Sequence, residues 1–195
     1  MRFKGCLLGD LTTPIDIKPA GVNSADEITI SEGFVNLDIQ AWDNISILKN
    51  YGKLRARQRN GSESFEVKRN IISQSSAVIY SNNDFGGSNK HLVHNNIFTG
   101  MSEVTDFYGN MDDQVVAAQS EYFNNVVDTT TGTSIGANLV AADVGGSVVV
   151  ATVSADPLIG SADSLDPDDY GYAPGSPAIG AATDGGNCGF AVGEL

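Results

Sequence analysis

The chain has 195 residues, enough for one domain, with 24 acidic against 11 basic residues and a formal net charge of −13. That charge repels nucleic acid and anionic membrane surfaces, and no apolar run is long enough to cross a bilayer. Two cysteines, Cys6 and Cys188, lie near opposite ends of the chain.

Residues 1–9 begin with basic residues, but their apolar part is too short for a secretory signal, so none is expected there. Residues 1–33 carry turn signals at Thr12-Thr13-Pro14, Lys18-Pro19 and Gly21, with short alternating runs at Ile15–Ile17 and Glu27–Ser31. We read this segment as an N-terminal cap over an open apolar end, or as an arm that attaches to another chain.

From Phe34 onward the alternation is cleaner. Val35, Leu37 and Ile39 fall on one face and Asn36, Asp38 and Gln40 on the other, as in a strand with one buried side. A short pattern then recurs: Asn44-Ile45, Asn70-Ile71, Asn96-Ile97 and Asn125-Val126, at spacings of 26, 26 and 29 residues. A fixed period in the twenties is the mark of a solenoid, and the intervening Val, Ile, Ser, Thr and Asn favour strands over helices. The expected fold is all-β: a short parallel β-helix of four to five coils over residues 34–195. Each coil offers three short strands and one variable loop, hence a three-sheet cross-section. Asn44, Asn70, Asn96 and Asn125 would sit at tight corners, where Asn tolerates a left-handed backbone, and hydrogen-bond from coil to coil as a ladder. The ends of a solenoid lie far apart, so Cys6 and Cys188 are expected as free thiols.

The second coil contains Lys53-Leu54-Arg55-Ala56-Arg57, the third Ala77–Tyr80, and the fourth Thr105-Asp106-Phe107-Tyr108. Seven of the eleven cations, from Lys49 to Arg69, fall within 21 residues. On the 53–57 strand, alternation points Lys53, Arg55 and Arg57 out on one face, and the next coils could set Tyr80, Asp106 and Tyr108 beside them. Such a row suits an acidic polysaccharide; it is also what a solvated face, paired with the acidic surplus, would look like. His91 and His94 are three apart on a strand and face opposite ways, which speaks against a shared metal, and His94 is expected to bond the backbone. The acidic stretch Asp163, Asp166, Asp168 and Asp169 lacks the spacing of known calcium loops and is expected to be solvated. No metal or other cofactor is expected.

After Thr129 the pattern loosens into a turn stretch at 129–134, strands at Asn138–Val140 and Ser147–Val153, and a tail. The tail reads DPLIG, then DDYGYAPGSPAIGAATDGG and CGFAVG. With HNNIFTG (94–100) and FNNVVD (123–128), it resembles the C-terminal part of bacterial and phage right-handed parallel β-helix proteins, the pectin-lyase-like superfamily. The resemblance covers residues 34–195, with the tail as a C-terminal cap, and implies a right-handed coil. Cys188 replaces a glycine or acidic residue of that pattern. The superfamily holds lyases, hydrolases, adhesins and tailspikes, so fold alone does not choose an activity. Its lyases use Arg or Lys to remove a proton beside a uronate carboxyl, often with calcium, but no catalytic motif matches here residue by residue. The expectation is therefore a non-enzymatic structural or binding component of an extracellular assembly. A phage virion is favoured because its proteins leave the cell by lysis and need no signal. The spike resemblance implies a homotrimer. The alternative is a polysaccharide lyase, or part of one, acting on acidic polysaccharide.

Overall fold

The computed structural model describes residues 2–9, 15–17, 28–41, 44–58, 64–73, 79–81, 91–107, 120–136, 149–160 and 164–190. They form an all-β structure of parallel strands. In chain order these are β1 (Arg2–Lys4), β2 (Leu7–Leu8), β3 (Ile15–Ile17), β4 (Ile28–Ser31), β5 (Phe34–Ala41), β6 (Asn44–Leu48), β7 (Tyr51–Gln58) and β8 (Ser64–Lys68). They continue as β9 (Ile71–Ser73), β10 (Ile79–Ser81), β11 (His91–His94), β12 (Ile97–Thr99), β13 (Thr105–Phe107), β14 (Ser120–Phe123), β15 (Val126–Val127), β16 (Val149–Val150) and β17 (Val153–Ser154).

The chain alternates between two sheets. One has seven strands in the order β1-β4-β6-β8-β11-β14-β16; the other has ten. Neither closes on itself. Hydrogen bonding thus joins into two sheets what the sequence suggested as three. The reason is the length of β5 and β7, eight residues each. The start of β7 pairs with β9 and its end with β10, so one sheet carries two lanes. Seven strands in the first sheet mean seven passes among the described residues, against the four or five expected. The surplus comes from the N-terminal segment, because β1 pairs with β4, β4 with β6, and β2 and β3 with β5. Residues expected as a cap or arm are strands of the same two sheets.

Each passage from the first sheet to the second is a two-residue corner whose first residue is left-handed. These residues are Gly5, Glu32, Lys49, Arg69, Asn95, Asn124 and Ala151, with φ from 50 to 60°. Their N–H groups stay satisfied across passes, for example Lys49 N to Lys68 O at 3.1 Å and Asn95 N to Phe123 O at 3.2 Å. The corner at Ala151 splits the single strand expected over Ser147–Val153 into β16 and β17.

The residue after the left-handed one carries the ladder. Asn50 N and Nδ2 both donate to Asn70 Oδ1, at 2.8 and 3.1 Å. Asn70 does the same to Asn96, at 2.9 and 3.0 Å, and Asn96 to Asn125, at 3.1 and 3.0 Å. The amides also reach inward, Asn96 Nδ2 to Val67 O and Asn125 Nδ2 to Val93 O, both at 2.9 Å. Three of the four expected rungs, Asn70, Asn96 and Asn125, are therefore rungs. The fourth is Asn50. Asn44 opens β6 opposite Ser64, so the register sets Asn50, six residues later, level with Asn70. The expected left-handed backbone also belongs one residue earlier than the ladder amides.

Two apolar columns follow from strand alternation. Ile30, Ile47, Val67, Val93 and Tyr122 align across the first sheet and are all buried. Val35, Ile72, Phe98 and Val127 align across the second and are buried too, each Val or Ile contributing roughly 1.5–3 kcal/mol on transfer from water. Between Val35 and Ile72 stands Gly52 at φ +116°, where a Cβ would lie 2.2 Å from Val35 O. Only glycine fits that step.

A further column, Phe34, Tyr51, Ile71, Ile97 and Val126, packs against Tyr170, Ala178, Cys188 and Phe190 of the tail. The Tyr51 ring lies 4.9 Å from Tyr170 and 5.7 Å from Phe190, centroid to centroid. The tail, expected as a terminal cap, spans five successive passes along the flank.

Candidate functional site

The pairing register decides which charged residues share a row. Gln40, Arg57, Tyr80 and Asp106 stand at matched positions on β5, β7, β10 and β13. Adjacent members are one strand spacing apart, about 4.8 Å, so Arg57 and Asp106 are about 10 Å from one another along the sheet. Arg55 lies two residues before Arg57 and opposite Asp38; Lys53 lies two further back, half-buried, opposite Asn36. Of the six expected site residues, Arg57, Tyr80 and Asp106 thus share one row and Arg55 and Lys53 flank it on the same strand. Tyr108 lies outside the described residues. Asn36, Asp38 and Gln40 were missed by sequence reasoning, because a partner 17 residues away becomes visible only once the register is known. A cation, a phenol and a carboxylate in single file offer a donor and acceptors to the hydroxyls and carboxylates of an extended sugar chain.

A second group of charges gathers where the corners meet the tail. Ser31, Glu32, Leu48, Lys49, Lys68, Arg69 and Asp184 line a cleft of about 360 Å³. Three of the clustered cations, Lys49, Lys68 and Arg69, are therefore here and not beside Arg57. Arg69 pairs with Asp184, and Lys4 Nζ with Glu32 Oε2 at 3.2 Å. The Asp184 carboxyl is held below the usual carboxylate range, first by the Gly186 N–H at 3.0 Å and then by the Arg69 guanidinium. The only sequence signal was a basic residue directly before an asparagine, in Lys49-Asn50 and Arg69-Asn70.

On the first sheet His94 Nε2 meets Glu66 Oε1 at 2.8 Å across β8 and β11, and its ring stacks on Phe123 at 4.5 Å. The His94 partner is thus a carboxylate on the neighbouring strand, not the expected backbone group. The hydrogen bond from His94 lowers the Glu66 pKa against the opposing pull of burial. Among the described residues, no three His, Cys, Asp or Glu side chains gather as a metal group would require. Asp166 caps a 3-10 turn at Pro167–Tyr170 and accepts from Asp168 N at 3.0 Å.

Both thiols are free. Cys188 is buried, its Sγ donates to Asn124 O at 2.9 Å, and burial pushes its pKa up to about 12. Its place in the tail is thereby explained as packing.

Comparison of the chain with protein-family models, with curated proteins and with solved structures finds no match.

Proposed function

We propose that the chain is a right-handed parallel β-helix of the pectin-lyase-like kind, serving as a non-enzymatic structural and carbohydrate-binding part of an extracellular assembly, such as a phage tail, spike or capsid-decorating protein. The observation that carries this reading is the row Gln40, Arg57, Tyr80 and Asp106, set at even spacing on hydrogen-bonded parallel strands. A rigid array of alternating polar groups is suited to holding an extended acidic polysaccharide. Assembly is favoured by the sheet edges: among the described residues β1 pairs only with β4 and β13 only with β10. An unpaired edge is a template for another chain, and a homotrimer on the virion surface would cover it.

A polysaccharide lyase is the second reading, favoured by the approach of Arg57 to a phenol and a carboxylate in one row. There Arg57 or Arg55 would take the proton beside a uronate carboxyl, with calcium as an added possibility. One experiment separates the two. Purified protein is incubated with pectate, alginate and hyaluronate, with and without calcium, while the ultraviolet absorbance of unsaturated products is followed. Affinity electrophoresis on the same polymers and light scattering run in parallel. The expected result is retardation by at least one polymer, weakened in Arg57→Ala and Tyr80→Ala, the mass of three chains, and no product. Product formation that disappears in Arg55→Ala or Arg57→Ala would overturn the structural reading in favour of the lyase.

A further inference from the structure

The corners form a track along one flank. Glu32, Lys49, Arg69, Asn95 and Asn124 share the left-handed backbone, with φ between 51 and 59°, and stand on successive passes about 4.8 Å apart. The tail grips the far half of this track. Asn124 Nδ2 donates to Ala181 O at 2.9 Å, and Asn95 exchanges two bonds of 3.1 Å with Thr183, while Arg69 pairs with Asp184. At Gly185 the tail turns back, and Cys188 and Gly189 bond Asn124 O and Asn95 O at 2.9 and 2.7 Å. Gly186 permits the turn, since a Cβ there would lie 2.8 Å from Arg69 Nη2. The tip of the tail therefore stops at Arg69. Beyond it the track runs on through Lys49 and Glu32 as the cleft of about 360 Å³, with Leu48 and Lys68 beside it.

We propose that this cleft receives an acidic, extended peptide segment of a partner protein, prolonging the contact that the tail makes on the same track. The tail shows what the track accepts. It is a peptide whose carboxylate takes the Arg69 guanidinium and whose backbone and side chains take the corner amides. One step further on, Lys49 and Lys68 offer the charge for a second carboxylate. Leu48 supplies apolar surface. The two carboxylates already in the cleft are engaged, Glu32 by Lys4 and Asp184 by Arg69. An acidic sugar shares the charge but lacks the peptide groups that the corners engage.

The test uses the intact protein and a fluorescein-labelled peptide, Ser-Leu-Asp-Pro-Asp-Asp, followed by anisotropy. The peptide is expected to bind, and Lys49→Ala with Lys68→Ala to weaken it by about ten-fold or more, as loss of charge-assisted bonds should. Arg2→Ala, exposed on β1 and outside the cleft, is expected to bind as the parent does. Should the double variant fold poorly, the unaltered protein still decides: bound peptide shields Lys49 and Lys68 from reductive methylation. No binding, binding indifferent to both lysines, or absence of shielding would overturn the proposal. Tetragalacturonate binding in place of the peptide would overturn it too, and would assign the cleft to sugar. Polymer retardation through Arg57 is a separate readout, so either proposal can fail alone.

Discussion

The ladder amides are the residues on which most hydrogen bonds depend. The Asn96 side chain accepts from Asn70 N and Nδ2 and donates to Val67 O and Asn125 Oδ1, all in the buried interior. Asn96→Ala leaves Asn70 N and Val67 O without these partners and is expected to cost about 2–4 kcal/mol, measured as a lower urea midpoint. The thiols make a second residue-level contrast. With its pKa at about 12 and its side chain buried, Cys188 holds almost no reactive thiolate at pH 8, whereas Cys6 is only half-buried. Native protein titrated with a disulfide reagent is expected to release one equivalent quickly, and the second only in denaturant. The ladder shows how much was readable at this scale. Three rungs could be read from Asn followed by a β-branched residue, in Asn70-Ile71, Asn96-Ile97 and Asn125-Val126. Asn50 escaped because Tyr51 follows it, and Asn44-Ile45 imitated the motif inside a strand.

Between elements, one ion pair ties β8 to β11. The depressed pKa of Glu66 means that its contribution is present above the ordinary carboxylate range near 4.5 and is lost as pH falls through the lower folded value. Thermal melts should therefore show Glu66→Gln below the parent at pH 6, with the gap closing toward pH 3. The tail depends instead on apolar contact. Phe190 is fully buried beside Tyr51, so Phe190→Ala is expected to cost about 3–5 kcal/mol. Limited proteolysis should then cut within residues 157–190 first. The strands themselves were visible in the alternation of Val35, Leu37 and Ile39 and in Lys53–Arg57. Invisible was the docking of the tail, because Phe34, Tyr51, Ile71, Ile97 and Val126 look like ordinary strand residues until the passes are stacked. The corner cleft was hidden for the same reason: Ser31, Leu48, Lys68 and Asp184 meet only through pairing and tail docking together.

For the whole molecule, a net charge of −13 on one chain is a source of self-repulsion. Raising salt from about 0.01 to 0.15 M shortens the screening length from about 30 to 8 Å, and is expected to raise the melting temperature by about 3 °C. A fall would mean that local pairs such as Arg69–Asp184 outweigh the general repulsion. At this scale parallel all-β pairing followed from the recurrence of Asn with Val and Ile, while the number of passes did not, because the first two lack asparagine at the corner.

Successive rungs of the ladder are 20, 26 and 29 residues apart in the chain, yet each is a single hydrogen-bonded step from the next. Spacing in sequence is thus uncoupled from spacing in space. The asparagines act like stitching along the spine of a book whose pages differ in width. Whatever lies between two stitches can be lengthened, shortened or exchanged while the spine keeps its pitch. The same frame is therefore open to foreign loops, and a segment grafted between Asn70 and Asn96 would be displayed without re-spacing its neighbours.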